Sequence, residues 1–212
     1  MKSEGKHLRD GKKVLHFTRQ EIEAMNLIYD RLVGDTASSN PTQSPPISPR
    51  FQKKEGIERV VFRDLLHSTF DVSTEDILMD RIFSVFDAGS DGLVQKEEWL
   101  LGTSVFLKGT LEEKTAYTFA VYDLNSDGFI VREEMFTLLR NSLVKQPQEE
   151  DPEEGVKDLV ELVLRKLDQD KDGKVSFNDF RQAVLQEPLF LEAFGQCLPS
   201  EPAAAAFLAT LS

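Results

Sequence analysis

Asp123, Asn125, Asp127 and Glu134 stand at positions 1, 3, 5 and 12 of one stretch, DLNSDGFIVREE. Oxygen-bearing side chains at that spacing suit a hard divalent cation, which takes about six to eight oxygens at short range. The carbonyl of Phe129 at position 7 adds another oxygen, Glu134 reaches back with two, and Gly128 permits the sharp turn between them. Ile130 at position 8 is apolar, as expected of a residue that pairs as a short strand with a neighbouring loop. Val131 at position 9 stands where a polar side chain often holds a bridging water, the most dispensable position of the set.

The pattern recurs in register. Residues 168–179 (DQDKDGKVSFND) offer Asp168, Asp170 and Asp172, a turn at Gly173, the Lys174 carbonyl, Ser176 and Asp179. Asp179 is one methylene shorter than Glu, which tilts this loop towards octahedral Mg2+ or weaker Ca2+. Residues 87–98 (DAGSDGLVQKEE) offer Asp87, Asp91, a turn at Gly92, the Leu93 carbonyl, Gln95 and Glu98, but Gly89 leaves position 3 without a ligand. The pattern matches the calcium loop of an EF-hand, and loop 123–134 keeps its main ligands most completely.

The elements that position these loops repeat as well. Phe83 and Phe86, Phe119 and Tyr122, and Leu164 and Leu167 fall fourth-last and last in the three entering helices. Trp99, Met135 and Phe180 are expected to stand first in the exiting helices, and Val94, Ile130 and Val175 share position 8. EF-hands pair, so three predict a fourth. Residues 56–62 (GIERVVF) read as its remnant: Ile57 fits position 8 and Phe62 the exiting helix, but Val61 replaces the bidentate carboxylate. The expected fold is all-α: four helix–loop–helix units in two paired lobes, the first hand degenerate, with short β pairing between loops and a C-terminal helical tail.

At 212 residues and 40% apolar composition, the chain can bury one extended core or two small lobes. Its net charge of −12 argues against nucleic acid or an anionic membrane as the main partner. Seven ligand carboxylates lie in the two better loops, and two divalent ions would bring −12 to −8. The single cysteine, Cys197, excludes an intrachain disulfide and fits a reducing compartment. No signal peptide or membrane-spanning apolar run is expected, and Met1-Lys2 lacks the glycine that myristoylation needs.

Residues 1–17 read as a polar, locally basic leader (Lys2, Lys6, Arg9, Lys12, Lys13), disordered or in contact with an acidic partner. An N-terminal EF-hand pair is expected over 18–107 and a C-terminal pair over 108–187, separated at Lys108-Gly109-Thr110. Thr18 with Glu21 caps a helix reaching about Val33, and Thr110 with Glu113 forms a second capping box. Residues 36–50 (TASSNPTQSPPISPR) form a flexible insertion in the dead first loop, with Ser44-Pro45 and Ser48-Pro49 as candidate kinase sites. Ser73 or Thr74 is expected to cap the helix entering the second hand. Residues 146–155 (QPQEEDPEEG) read as a solvated acidic linker, or else a contact surface for a basic partner. The tail, 188–212, carries apolar residues at helical spacing over 188–194 and a second short helix over 203–211. It would either plug the apolar groove that loaded hands open or simply pack.

Residues 109–114 (GTLEEK), 129–136, 141–147 (NSLVKQP), 149–152 (EEDP), 157–161 (KDLVE) and 191–199 (LEAFGQCLP) resemble the calaxins, ciliary members of the neuronal-calcium-sensor-like EF-hand proteins. The resemblance runs from about 17 to 199 and is densest after Gly109. Gly89 and the insertion 36–50 depart from the family pattern. The resemblance implies a calcium sensor of motile cilia and flagella. It also implies protein partners: the outer dynein arm, the coiled coils of its docking complex, and tubulin of the doublet microtubules. Cytoplasm, cytoskeleton and axoneme are the implied location.

The leading reading is a calcium-responsive adaptor with the C-terminal pair as sensor, and the second is a constitutive structural docking subunit. A soluble calcium buffer would need intact high-affinity loops throughout. An enzyme is least expected: His7, His16 and His67 have no Cys or acidic partner at metal or triad spacing, and Ser126 lies inside an ion loop.

Overall fold

In the computed structural model, which describes residues 14–38, 55–72, 76–142 and 152–211, helices stop and restart around each twelve-residue loop. In order these are α1 (Arg19–Ser38), β1 (Ile57–Glu58), α2 (Arg59–Phe70), α3 (Asp76–Phe86), β2 (Leu93–Val94), α4 (Lys96–Lys108), α5 (Leu111–Tyr122) and β3 (Phe129–Ile130). Then follow α6 (Arg132–Ser142), α7 (Pro152–Leu167), β4 (Val175–Ser176), α8 (Phe177–Gln186), a 3-10 turn (Pro188–Glu192) and α9 (Glu201–Ala209).

The degenerate first hand is present in its described parts, α1, β1 and α2. β1 and β2 pair antiparallel with Ile57 opposite Val94, and β3 and β4 pair with Ile130 opposite Val175. Position 8 thus meets position 8 in both pairs, including the hand that lost its carboxylate at Val61. All four of these residues are fully shielded from solvent, so the strand pairing doubles as core packing.

The exiting helices begin three residues earlier than the sequence predicts, at Lys96, Arg132 and Phe177, so Trp99, Met135 and Phe180 are fourth rather than first. The reason is capping. Position 9 is the N-cap in the second and fourth hands, and the position-12 carboxylate accepts its amide hydrogen three residues on. The last three loop residues are therefore already helix. Trp99, Met135 and Phe180, with Phe62 in the first hand, still point into the core.

The two pairs share one core rather than two. Phe86 of α3 and Phe106 of α4 both set ring edges against Tyr117 of α5, at 6.2 and 6.1 Å. Gly102 lets α4 press onto α3, because a Cβ there would come within 2.4 Å of the Phe86 ring.

Several boundaries differ from expectation. Helix α1 passes Val33 and takes in Thr36 to Ser38 of the expected insertion, since proline first intervenes at Pro41; the rest of that insertion lies outside the described residues. Pro152 opens α7 instead of breaking a linker. Its missing N–H costs nothing at the first helical position, and Glu153 and Glu154 follow in the first turn. The remainder of 146–155 and the caps Ser73 and Thr74 lie outside the described residues, as do residues 1–13 with His7 and the basic leader. The end of that leader is packed: Phe17 is buried, and the His16 amide donates to Ser104 Oγ at 2.7 Å. His16 also has an acidic partner after all, its Nε2 lying 2.8 Å from Glu113 of the α5 capping box. His67 faces solvent.

The tail lies across both pairs. Within 188–194 only Pro188–Glu192 are helical, and as a 3-10 turn rather than an α-helix, leaving Leu189 78% exposed while Phe194 is buried edge-on to Tyr122 at 5.0 Å. The Tyr122 hydroxyl donates towards the carbonyls of Leu191 and Gly195, and that of Tyr117 to the carbonyl of Cys197. Helix α9, capped by Ser200, then places Phe207 4.8 Å from Phe70 of α2 in the N-terminal pair. Burial lifts the Cys197 thiol to about 11, which keeps it protonated and unreactive.

Candidate metal centre

Three loops share one backbone shape. Position 4 is left-handed in each (Ser90, Ser126 and Lys171, φ 52° to 62°), and so is position 6 (Gly92, Gly128 and Gly173, φ 83° to 92°). Glycine suits position 6 because that conformation is strained for a side chain. The turn folds the early carboxylates back over their own amides. In loop 123–134, Asp123 accepts from the amides of Asp127 and Gly128 at 3.1 and 2.8 Å. Asn125 Oδ1 accepts from Asp127 N at 2.8 Å, and Asp127 Oδ1 from Phe129 N at 2.9 Å. These bonds aim the oxygens inward while leaving lone pairs free for a cation.

Glu134 closes the loop. One carboxylate oxygen accepts from Val131 N at 3.0 Å, and the other crosses to Asn125 N at 3.1 Å, so the two ends are stitched through position 12. Glu98 does the same in the second hand, reaching Gln95 N at 2.8 Å and Gly89 N at 2.7 Å. Asp179 does not span. Among the described residues, its carboxylate accepts hydrogen bonds from Ser176 alone, whose amide and hydroxyl both donate to the same oxygen. The missing methylene that the sequence singles out is thus visible as a missing bridge to position 3.

The carboxylates that the described residues bury, Asp87, Asp123, Glu134 and Asp179, are all at position 1 or 12 of a loop. A buried carboxylate is costly unless something neutralises it. Burial holds both Asp123 and Glu134 above the ordinary carboxylate range despite the amides that donate to them. Acceptor-only oxygens crowded in this way fit a hard cation. In loop 168–179, carboxylate oxygens of Asp168, Asp170 and Asp172 lie within 4.8 Å of one another. In loop 87–98, Asp87 accepts from Asp91 N and Gly92 N at 3.0 and 2.8 Å. Asp91 and Glu98 complete its carboxylate set, and the place opposite Glu98 is only the amide of Gly89. Phe129, Lys174 and Leu93 hold position 7 of the three loops, the first and third inside the paired strands.

The loops are also braced from outside, which sequence reasoning missed. Lys174 Nζ sits 3.5 Å above the Phe129 ring, joining the two position-7 residues of the C-terminal pair. Arg132 donates to the Gly173 carbonyl at 2.9 Å and pairs with Glu161 at 2.7 Å. Arg81 of α3 reaches the carbonyls of Ala120 and Asp123 at 2.8 and 2.7 Å. No local pattern marks these partners, which lie 29 to 45 residues away in sequence.

A family model of the EF-hand domain pair matches residues 112–185, the third and fourth hands. Calaxin of Xenopus laevis is 50% identical over 194 residues, covering 92% of this chain and 87% of that protein. The chain belongs to the calaxin family. Calaxins of Mus musculus and Bos taurus are 50% and 48% identical over 188 residues each, covering 89% of this chain and 83% of those proteins. The chain is accordingly a calcium-binding protein of the EF-hand type. Among the described residues, no helix is long and apolar enough to cross a membrane.

Proposed function

We propose that the chain is a calcium-responsive adaptor of the axoneme, with loop 123–134 as its principal sensor. Glu134 carries this reading: it is buried, and it bridges positions 3 and 9 of the loop. Bound calcium would supply the positive charge that the buried carboxylates lack. Asp123, Asn125, Asp127, the Phe129 carbonyl and Glu134 would hold it. Asp168, Asp170, Asp172, the Lys174 carbonyl and Asp179 would hold a second ion, open to competition by Mg2+. Asp87, Asp91, the Leu93 carbonyl and Glu98 would hold a weaker third.

The chain acts through protein partners rather than catalysis, associating with the outer dynein arm and its docking complex on doublet microtubules of cilia or flagella. This rests on likeness to the calaxins along the inter-hand segment and the tail, not on ion-ligand spacing. A constitutive structural subunit is the second reading, favoured by a tail that already fills apolar surface in both pairs. Affinity capture from ciliary extracts separates the two: partners that change between calcium and chelator fit the sensor, and identical partners fit the structural subunit. In calorimetry, Glu134→Gln should remove one strong calcium event from the full chain. An unchanged titration would place the sensor elsewhere.

A further inference from the structure

Arg81 belongs to the N-terminal pair, on the helix entering the second hand, yet its guanidinium ends on the third loop. It donates to the carbonyls of Ala120, Asp123 and, at 3.5 Å, Val121, and to Ser126 Oγ at 3.2 Å. Ala120 and Val121 lie in the last turn of α5, where carbonyls lack helical partners and a cation is favoured. Asp123 and Ser126 are positions 1 and 4 of the ion loop. The guanidinium is partly desolvated, which lowers its affinity for its proton, while the charges of Asp123 and Glu134 oppose that effect.

We infer that Arg81 sets the calcium threshold of loop 123–134 from the opposite pair, by holding its affinity down. The inference rests on that loop being a calcium site. Two effects of Arg81 compete. As a hydrogen-bond donor it steadies the entering turn, which would favour binding. As a fixed positive charge beside Asp123 and Glu134 it offsets the repulsion that a bound cation would otherwise relieve, and it repels that cation. The first effect is dispensable, because loops 87–98 and 168–179 adopt the same left-handed turns and the same position-1 contacts without Arg81. Lys174 and Arg132 also bring positive charge to loop 123–134, but they are engaged with the Phe129 ring and with Glu161 and Gly173, whereas Arg81 hydrogen-bonds at Asp123 itself, so its charge decides the sign. By linkage the coupling also runs backwards: a cation in the loop weakens a hold between the second and third hands.

Calcium titration of the full chain by calorimetry tests this with Arg81→Gln, which keeps donors and loses the charge, and Arg81→Lys, which keeps the charge and loses the fork. Arg81→Gln should tighten the event that Glu134→Gln abolishes by about 3- to 10-fold, the size of one partly screened charge. The gain should shrink in 0.5 M KCl, and Arg81→Lys should stay within about twofold of the parent. Unchanged or weaker binding in Arg81→Gln overturns the inference. If Glu134→Gln abolishes no event, the calcium site itself is wrongly placed, which is a separate failure. Should Arg81→Gln fail to fold by circular dichroism, Arg81→Lys decides alone: preserved affinity supports the charge, and a fivefold loss assigns the role to geometry.

Discussion

Glu98 and Glu134 each place one carboxylate oxygen on the position-9 amide and the other on the position-3 amide, whereas Asp179 keeps to position 9. A side chain long enough to span the loop is near the geometry of a bidentate ligand. Asp179→Glu should therefore tighten calcium at loop 168–179 by on the order of tenfold, about 1.4 kcal/mol, and reduce the effect of millimolar Mg2+ on that event. Calorimetry with and without Mg2+ checks both halves; equal competition by Mg2+ in parent and variant would show that loop size is set elsewhere. This defect was legible in the sequence because ligand, spacing and side-chain length are all local to twelve residues. Arg81 was not, because its four acceptors lie 39 to 45 positions away and an arginine on an amphipathic helix carries no mark of where it points.

Elements were legible to the extent that their ends are set by local chemistry. The entering helices stop at Phe86, Tyr122 and Leu167 because the first ligand follows, and the Thr18 and Thr110 capping boxes form as read. Misplaced starts came from the double role of position 12, at once a ligand and a helix cap, which spacing alone does not reveal. The tail was harder still, because its docking depends on acceptors supplied by carbonyls. Tyr122, on the helix that enters the third hand, is fully buried and directs its hydroxyl to two tail carbonyls at 2.8 and 2.7 Å. Burial pushes its phenol well above the usual range, so it remains a donor at any working pH. Tyr122→Phe keeps the ring packing on Phe180 and Phe194 but removes the hydroxyl from both part-buried carbonyls, leaving Leu191 with the weak Cys197 thiol contact, at a cost of about 1 kcal/mol. Thermal unfolding should shift down by about 2 to 4 °C for each kcal/mol lost. An unchanged midpoint would mean that the tail is held by its apolar residues alone.

At the scale of the whole molecule, one extended core carries a chain with a net charge of −12, and the acidity is concentrated where ions are expected. Self-repulsion of that size opposes the compact state, and mobile salt and bound divalent ions relieve it in different ways. Salt screens exposed carboxylates such as Asp127, Asp170 and Asp172 but reaches the buried Asp123, Glu134, Asp87 and Asp179 poorly. Calcium neutralises both kinds within a loop. In chelator, raising KCl from about 0.02 to 0.5 M should therefore raise the unfolding midpoint. Calcium at about 100 times its dissociation constant should add about 2.7 kcal/mol per site at either salt concentration. At a fixed calcium concentration, however, its gain should be smaller in high salt, because screening weakens the attraction of the loops for the ion. The arrangement of charges fixes the order of these midpoints: chelator in low salt lowest, chelator in high salt intermediate, and saturating calcium highest. A melt in chelator that ignores salt would mean that the fold already balances its acidity through pairs such as Arg132–Glu161 and Arg181–Glu112, with the loops exerting no strain on it.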